Sequence, residues 1–415
     1  MNPELIADCV HCGFCLPTCP TYVLWREEMD SPRGRIDLMG GLTHGTLSLS
    51  ETVVEHFDRC LGCMACVTAC PSGVKYDRLI ESTRAHVESE FGRSFGDRAL
   101  RASIFAVLPH RRRLAAALRL APLGRRLPLP KRVRPLVELA PSHRSSAWPP
   151  ELTPSNQTAS DKLSLADGRA LRVGLLAGCV QSVLFGHVNV ATARVLAADG
   201  YDVACPRGQG CCGALAIHGG RLAQGVELAR RTIDVLGGYD LVVTNAAGCG
   251  SNLKEYGHLL ADDPEYAERA ASFAAKVRDI SELLADPLVE RAERHPLELR
   301  VAFQDSCHLR HAQRIVAEPR AMLAQIPGVV LLEPAEQDLC CGSAGIYNIV
   351  QPDAARSLGD RKAANVLATE PDVYASANPG CLVQVGAALA RAGAHLRAVH
   401  PVELVEASIR GVSLS

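Results

Sequence analysis

The chain lacks any run of about 18 apolar residues, the length a membrane-spanning helix needs. Its N-terminus, Met1-Asn2-Pro3-Glu4-Leu5, has neither the basic stretch nor the apolar core of a secretory signal. The expectation is a cytoplasmic protein, with docking on the inner membrane's cytoplasmic face left open. Charge is equally uninformative about partners: 44 Lys and Arg against 45 Asp and Glu leave a formal net charge of −1. Aromatics are scarce at 4%, and none interleave with basic residues in the manner of a nucleic-acid surface, so no nucleic-acid partner is expected. There is no Walker loop, no HExxH and no Ser–His–Asp arrangement. Gly208-Gln209-Gly210-Cys211-Cys212-Gly213 does fit G-x-G-x-x-G after a strand-like run. A dinucleotide loop pairs with an acid at the end of the next strand and carries no thiol pair, so nicotinamide binding is rejected.

Cysteine is abundant instead. Seventeen cysteines in 415 residues, an odd number gathered in tight groups without a secretory signal, point to metal rather than to disulfides. Two groups repeat one pattern, C-x2-C-x2-C-x3-C-P: Cys9, Cys12, Cys15, Cys19 with Pro20, and Cys60, Cys63, Cys66, Cys70 with Pro71. This is the spacing of bacterial-type ferredoxins, in which the fourth cysteine of each run ligates the other run's cluster. Carried onto this sequence, the resemblance implies one [4Fe-4S] cluster on Cys9, Cys12, Cys15 and Cys70. A second would sit on Cys60, Cys63, Cys66 and Cys19. Zinc motifs do not repeat such a run with a terminal proline, so a pair of zinc sites is set aside. The long gap between the runs contains helix-like turns at 36–39 and 52–57, as in the helical ferredoxin domain of succinate dehydrogenase-type iron–sulfur subunits. It also holds Arg33 and Arg35, either cations that favour a reduced, more negative cluster or ordinary surface charges.

Four segments follow from composition. Residues 1–96 form the helical two-cluster module, and 97–168 a basic, proline-marked connector. From Arg98 to Arg144 there are twelve Lys or Arg and one acid, Glu138. That stretch reads as a solvated linker, a membrane-surface segment, or a dock for an acidic subunit. Residues 169–290 and 291–415 are two copies of one unit. Each alternates strand-like and helix-like runs, which predicts a parallel sheet with ligands at the strands' C-terminal ends. The expected class is α+β multidomain: a helical ferredoxin domain followed by a duplicated Rossmann-like cysteine-rich domain, its two lobes facing across a cleft.

Each copy spaces its cysteines as C, 31 or 32 residues, CCG, 36 to 39 residues, C: Cys179, Cys211, Cys212 and Cys249, then Cys307, Cys340, Cys341 and Cys381. This resembles the CCG domain of heterodisulfide reductase subunits. In those reductases the pattern ends in C-x2-C, whereas Asn252 and Gln384 stand here at the final position. Four thiols per lobe suffice for a cubane cluster, a zinc ion or a redox-active thiol site, and one or two further iron–sulfur centres are expected. Cys205 is an extra thiol, and His218, His308 and His311 read as ligands, proton carriers or polar core residues.

Taken together, the runs around His11–Tyr22 and Asp30–Ile36, with Gly210–Leu215 and Ser306–Leu309, are similar to the family of glycolate oxidase iron–sulfur subunits. The resemblance covers nearly the whole chain. It implies a subunit that takes electrons from flavin-binding partners, which carry the FAD and oxidise glycolate to glyoxylate, and passes them to a quinone or another membrane acceptor. No catalytic residue for the substrate step is then expected on this chain. The rivals are the equivalent subunit of a glycerol-3-phosphate or lactate dehydrogenase, and a heterodisulfide-reductase-like enzyme. Anaerobic reconstitution with iron and sulfide counting separates the cofactor readings. About eight irons per chain would confine clusters to the two runs, more would place centres in the repeats, and zinc alone would overturn the iron–sulfur reading.

Overall fold

Eight short strands organise the duplicated half of the chain. The computed structural model describes residues 2–124, 147–153, 170–286 and 291–414. Strands β1 (Arg172–Leu175), β2 (Asp202–Ala204), β3 (Leu241–Thr244) and β4 (Val277–Asp279) form one sheet. Strands β5 (Leu299–Phe303), β6 (Val329–Leu332), β7 (Val373–Ala375) and β8 (Arg397–Val399) form the other. The orders are β2-β1-β3-β4 and β6-β5-β7-β8, with every pairing parallel. Central strands covered on both faces explain why runs such as Leu241-Val242-Val243-Thr244 are continuously apolar rather than alternating. In each sheet the order reverses between the first and third strands, which opens a crevice at their C-terminal ends.

The lobes are locked by an exchange of helices. Helix Gly186–Ala198 of the first lobe packs on the chain's last helix, Pro401–Arg410. The matching helix of the second lobe, Ala317–Ala324, packs on Ile280–Leu284 of the first. Val188, Val195 and Leu196 thereby share one core with Val402, Val405, Met322 and Leu323. Asp199, at the end of helix Gly186–Ala198, is buried and pairs with Arg291 and Arg294, pinning the segment that enters the second lobe.

The N-terminal module is helical. Helices Pro20–Trp25, Pro32–Thr43, Glu51–Asp58 and Tyr76–Glu90 surround a core that includes Met39, Phe57, Leu79 and Ile80. Pro20 is the first residue of its helix with Cys19 as N-cap, and Ser31 caps the Gly34 amide at the start of helix Pro32–Thr43. The stretch read as a basic connector folds, over its described part, into helices Phe95–Val107 and Arg111–Gly124. Phe105 packs against Ile346 and Ile349 of the second lobe, and Leu114 and Leu118 pack against Val183 and Leu184 of the first. Arg125, Arg126, Lys131, Arg132, Arg134 and most of the Pro- and Ser-rich boundary lie outside the described residues. No helix of the described residues is long and apolar enough to cross a membrane.

Each lobe ends with a strand running into a capped helix. Asp279 caps helix Ile280–Leu284 and His400 caps helix Pro401–Arg410, both within capping boxes completed by Glu282 and Glu403. A histidine cap must be unprotonated, because its Nδ1 accepts the Val402 amide at 3.1 Å. Burial pushes the His400 pKa from 6.5 down to about 4. Between those values the unfolded chain binds a proton that the native chain refuses, so stability falls as pH drops through that window. His400→Asn keeps a cap acceptor and removes the titration. Urea unfolding at graded pH should show an acid limb flattened by up to about 3 kcal/mol between pH 6.5 and 4 relative to the unsubstituted chain.

Candidate metal centres and the cavity between the lobes

The eight cysteines of the two runs divide into a surface set and a buried one. Cys9, Cys12, Cys15 and Cys70 line one pocket, which Cys66 also borders. Cys12 is exposed, and Cys9, Cys15 and Cys70 are half-buried. Beside them Val10 and Phe14 are 67% and 65% exposed. Arg33 lies over this run, donating to the His11 carbonyl at 3.0 Å while paired with Glu28.

Cys19, Cys60, Cys63 and Cys66 are all buried. Arg35, itself 1% exposed, reaches the Cys19 Sγ at 4.0 Å and donates to Thr21 and to Asp30. Asp30 is held in turn by His56 and Arg59. The Tyr76 hydroxyl and the Gly62 amide both donate to the Cys60 Sγ. Burial works against a Cys60 thiolate, yet the cations of Arg35 and Arg84 bring this thiol below its ordinary pKa. Arg35 is therefore a buried charge at the second run and no ordinary surface arginine.

In the lobes, every cysteine of the CCG pattern follows a strand's C-terminal end. Cys179 follows β1 and Cys249 follows β3, while the Cys211-Cys212 pair lies on the loop after β2. Cys307, Cys381 and the Cys340-Cys341 pair hold the same places after β5, β7 and β6. Helices start at or beside these cysteines, Val180–Leu184 after Cys179 and Pro379–Arg391 around Cys381, so their N-terminal amides favour an anionic sulfur. Sulfur–sulfur contacts of 3.5 Å join Cys179 to Cys211 and Cys341 to Cys381, and 3.8 Å separates Cys307 from Cys340. Hydrogen bonds from Cys307 and Cys341 hold the Cys340 thiol well below its ordinary pKa.

All eight of these cysteines line a single cavity of about 250 Å³ between the lobes. The CCG glycines make this loop possible. Gly213 and Gly342 have φ of +89° and +88°, and a Cβ on Gly342 would meet the Ala355 carbonyl oxygen at 2.7 Å. Asn252 and Gln384, at the positions where a fifth thiol would stand, are buried and bound to backbone carbonyls, Asn252 to Cys212 and Gln384 to Ala355. They buttress the CCG loops from outside the thiol sets.

Two glutamines that attracted no attention in the sequence do related work. Gln209 accepts the Ala177 amide and donates to the Leu175 carbonyl, tying the first CCG loop to the end of β1. Gln337 ties the second loop to β5 through Asp305 and Phe303 in the same way. Their placement, two and three residues ahead of the cysteine pair, was the available signal. Cys205 lies near Gln209 and outside the cavity lining, and burial raises its pKa to about 12.

The histidines join modules. His308 Nε2 pairs with the Gly62 carbonyl at 2.9 Å and its Nδ1 with the Ser251 hydroxyl at 3.1 Å, so one ring touches the second cysteine run and both lobes. Burial, then the neighbouring His218, push its pKa down to about 4, which keeps the ring neutral. His311 bridges Thr68 to the Asp338 carbonyl. His218 lies edge-on to His308, 5.1 Å between centroids, and 3.1 Å from a Glu81 oxygen. The second run thus abuts the second lobe: Leu61, Cys63 and Ala65 pack with Leu339, Cys340 and Tyr347. Burial and then Cys340 push the Cys63 thiol well above its ordinary value.

Sets made wholly of thiols, on glycine-punctuated loops with amide, hydroxyl and guanidinium donors aimed at sulfur, fit iron–sulfur chemistry. Fold and thiol sets together define an iron–sulfur protein in which a dicluster module is joined to a duplicated cysteine-rich domain. Residues 5–74 match the 4Fe-4S dicluster domain family, and residues 173–254 and 301–386 each match the cysteine-rich domain family named CCG. The chain is 39% identical over 423 residues to the probable glycolate oxidase iron–sulfur subunit of Bacillus subtilis (strain 168), covering 98% of this chain and 94% of that one. It is 37% identical over 413 residues to the glycolate oxidase iron–sulfur subunit of Escherichia coli (strain K12), covering 98% and 95%. A solved structure, a hypothetical protein from Helicobacter pylori, shares the fold with a TM-score of 0.54 at 8% identity, over 91% of this chain and 68% of that one. The chain belongs to the family of glycolate oxidase iron–sulfur subunits.

Proposed function

We propose that the chain is the electron relay of a complex that oxidises glycolate to glyoxylate, placed between flavin-binding subunits and a quinone of the membrane pool. Each turnover removes two electrons and two protons from the CH–OH group of glycolate, one hydrogen from its carbon and one from its hydroxyl, and the quinone takes up two of each on becoming a quinol. The observation that carries this reading is the order of the thiol sets, which runs from the protein surface to the cavity between the lobes without leaving the chain. Its whole-length likeness to two glycolate oxidase subunits supports the choice of substrate.

In this reading Cys9, Cys12, Cys15 and Cys70 hold one [4Fe-4S] cluster, and Cys60, Cys63, Cys66 and Cys19 hold the other. Cys179, Cys211, Cys212 and Cys249, and likewise Cys307, Cys340, Cys341 and Cys381, hold further centres. Bound clusters would supply one-electron carriers that divide the two-electron output of a flavin into single steps. The chain's own residues set the direction. The exposed Val10 and Phe14 frame the surface set as the face that meets the flavin-binding partner. Arg35, Tyr76 and the Gly62 amide stabilise added negative charge at the buried set. His308 and the packing of Cys63 against Cys340 hold that set on the second lobe. The basic helix Arg111–Gly124 leaves Arg112, Arg119 and Leu120 exposed beside the cavity, suited to resting on an anionic bilayer surface.

Purified with its flavin-binding subunits, the chain should lose visible cluster absorbance on addition of glycolate. Bleaching by lactate or glycerol 3-phosphate but not by glycolate would reassign the complex. The pair Cys340→Ser and Cys341→Ser should spare the paramagnetic signals of the N-terminal clusters and abolish quinone reduction, and unchanged quinone reduction would remove the second lobe from the path. Arg35→Gln should move the midpoint potential of one N-terminal cluster to more negative values and leave the other nearly unmoved, as read by redox titration with paramagnetic resonance. Equal shifts in both would contradict the assignment of Arg35 to the buried set.

A further inference from the structure

The cavity between the lobes has a composition that the thiols alone do not explain. Among the described residues that line it there is no Lys, Arg, Asp or Glu. Away from sulfur its walls are mostly apolar, with Val180 and Leu184 beside Val383 and Leu215 beside Ile349. Several uncharged polar side chains border it as well, among them Ser306, Ser343, Asn348 and Asn378, and Gln181 stands out among these. Gln181 is 2% exposed, borders the cavity, and has no hydrogen-bond partner for either atom of its carboxamide. A buried amide left unmatched is costly, and such a group inside a cavity calls for a ligand that completes it.

We infer that this cavity is the quinone site, with the Gln181 carboxamide donating to a ring carbonyl. The inference rests on the proposed function for its supply of electrons and adds where the acceptor binds. The absence of Lys and Arg from the lining disfavours anionic substrates, including the carboxylate- or phosphate-bearing disulfides a reductase of this type could otherwise take, because a negative charge brought there would lose its hydration without gaining a guanidinium or ammonium partner. A flat, uncharged ring with carbonyl oxygens and apolar substituents matches both the walls and the free amide. Thiols of both lobes face it, so centres held there would border the ring from two sides. The ring would gain two electrons from centres held by those thiols and two protons from water, its two C=O groups becoming C–OH, and electrons taken from glycolate would re-reduce the centres. Leu114 and Leu118 of the basic helix line the same cavity, which places its edge beside the surface proposed to rest on the bilayer.

The test uses the full chain reconstituted with iron and sulfide, reduced anaerobically, and mixed rapidly with a short-tailed ubiquinone analogue or with ferricyanide. Gln181→Leu should raise the quinone concentration for half-maximal reoxidation about tenfold, with rates normalised to those with ferricyanide. Equal half-saturation in both proteins would overturn the site while leaving quinone as the acceptor. Failure of the unsubstituted chain to be reoxidised by the quinone, with ferricyanide still effective, would overturn the acceptor and the site together. An azido-quinone photolabel on the unsubstituted chain decides the matter if Gln181→Leu does not fold. Cross-links at Val180, Leu184, Leu215 or Ile349 support the site, and cross-links confined to other surfaces exclude it.

Discussion

Thiols scattered over some 370 positions of chain have to meet in small groups, and most of this architecture serves that convergence. A parallel sheet solves the problem repeatedly. It returns the chain to the same edge after every crossover, so residues 30 to 40 positions apart emerge side by side at the strands' C-terminal ends. Cys179 and Cys211, joined by a 3.5 Å contact, are one product of that return, and Cys341 and Cys381 are its counterpart in the second lobe. The CCG glycines, the capping amides and the paired Gln209 and Gln337 then hold the loops so that sulfur points into the cavity and not into solvent.

The duplication gives two lobes of one topology, but their surroundings differ. The second cysteine run packs on the second lobe through Cys63, Cys340 and the two histidines at 308 and 311. The first lobe meets the N-terminal module chiefly through helix Tyr76–Glu90, where Arg84 donates to the His218 carbonyl and Arg78 pairs with Glu255. Equal cysteine patterns therefore occupy unequal positions relative to the N-terminal module. A half-buried neutral histidine at the junction of all three modules suits a rigid joint, because a charged ring there would be partly desolvated and would respond to pH.

Much of this was legible beforehand because the signals are local. The strand-like runs expected in each repeat include Leu241–Thr244, Val329–Leu332 and Val373–Ala375, and these are strands, since short apolar runs between turn residues have few other uses. Helix Ala317–Ala324 is preceded by a wider turn at His308–Ala312, whose two histidines are occupied in contacts with the other modules. The fourth strand of each sheet, Val277–Asp279 or Arg397–Val399, is only three residues long. Three residues on such an edge carry too little periodicity to announce themselves. His308 and His311 were open among three roles, and their use as joints depends on partners about 245 positions away.

The sequence by itself determined the chemistry and the class of fold: spacing sets which thiols share a loop, and apolar periodicity sets which segments become strands or helices. Both are short-range properties of the covalent chain. What only the tertiary structure decided is which groups face one another across modules. The burial of Arg35 against Cys19, the gathering of eight thiols around one cavity and the unmatched carboxamide of Gln181 within it all arise from packing between distant segments. Burial and hydrogen-bond satisfaction are properties of the assembled interior, which no local pattern encodes.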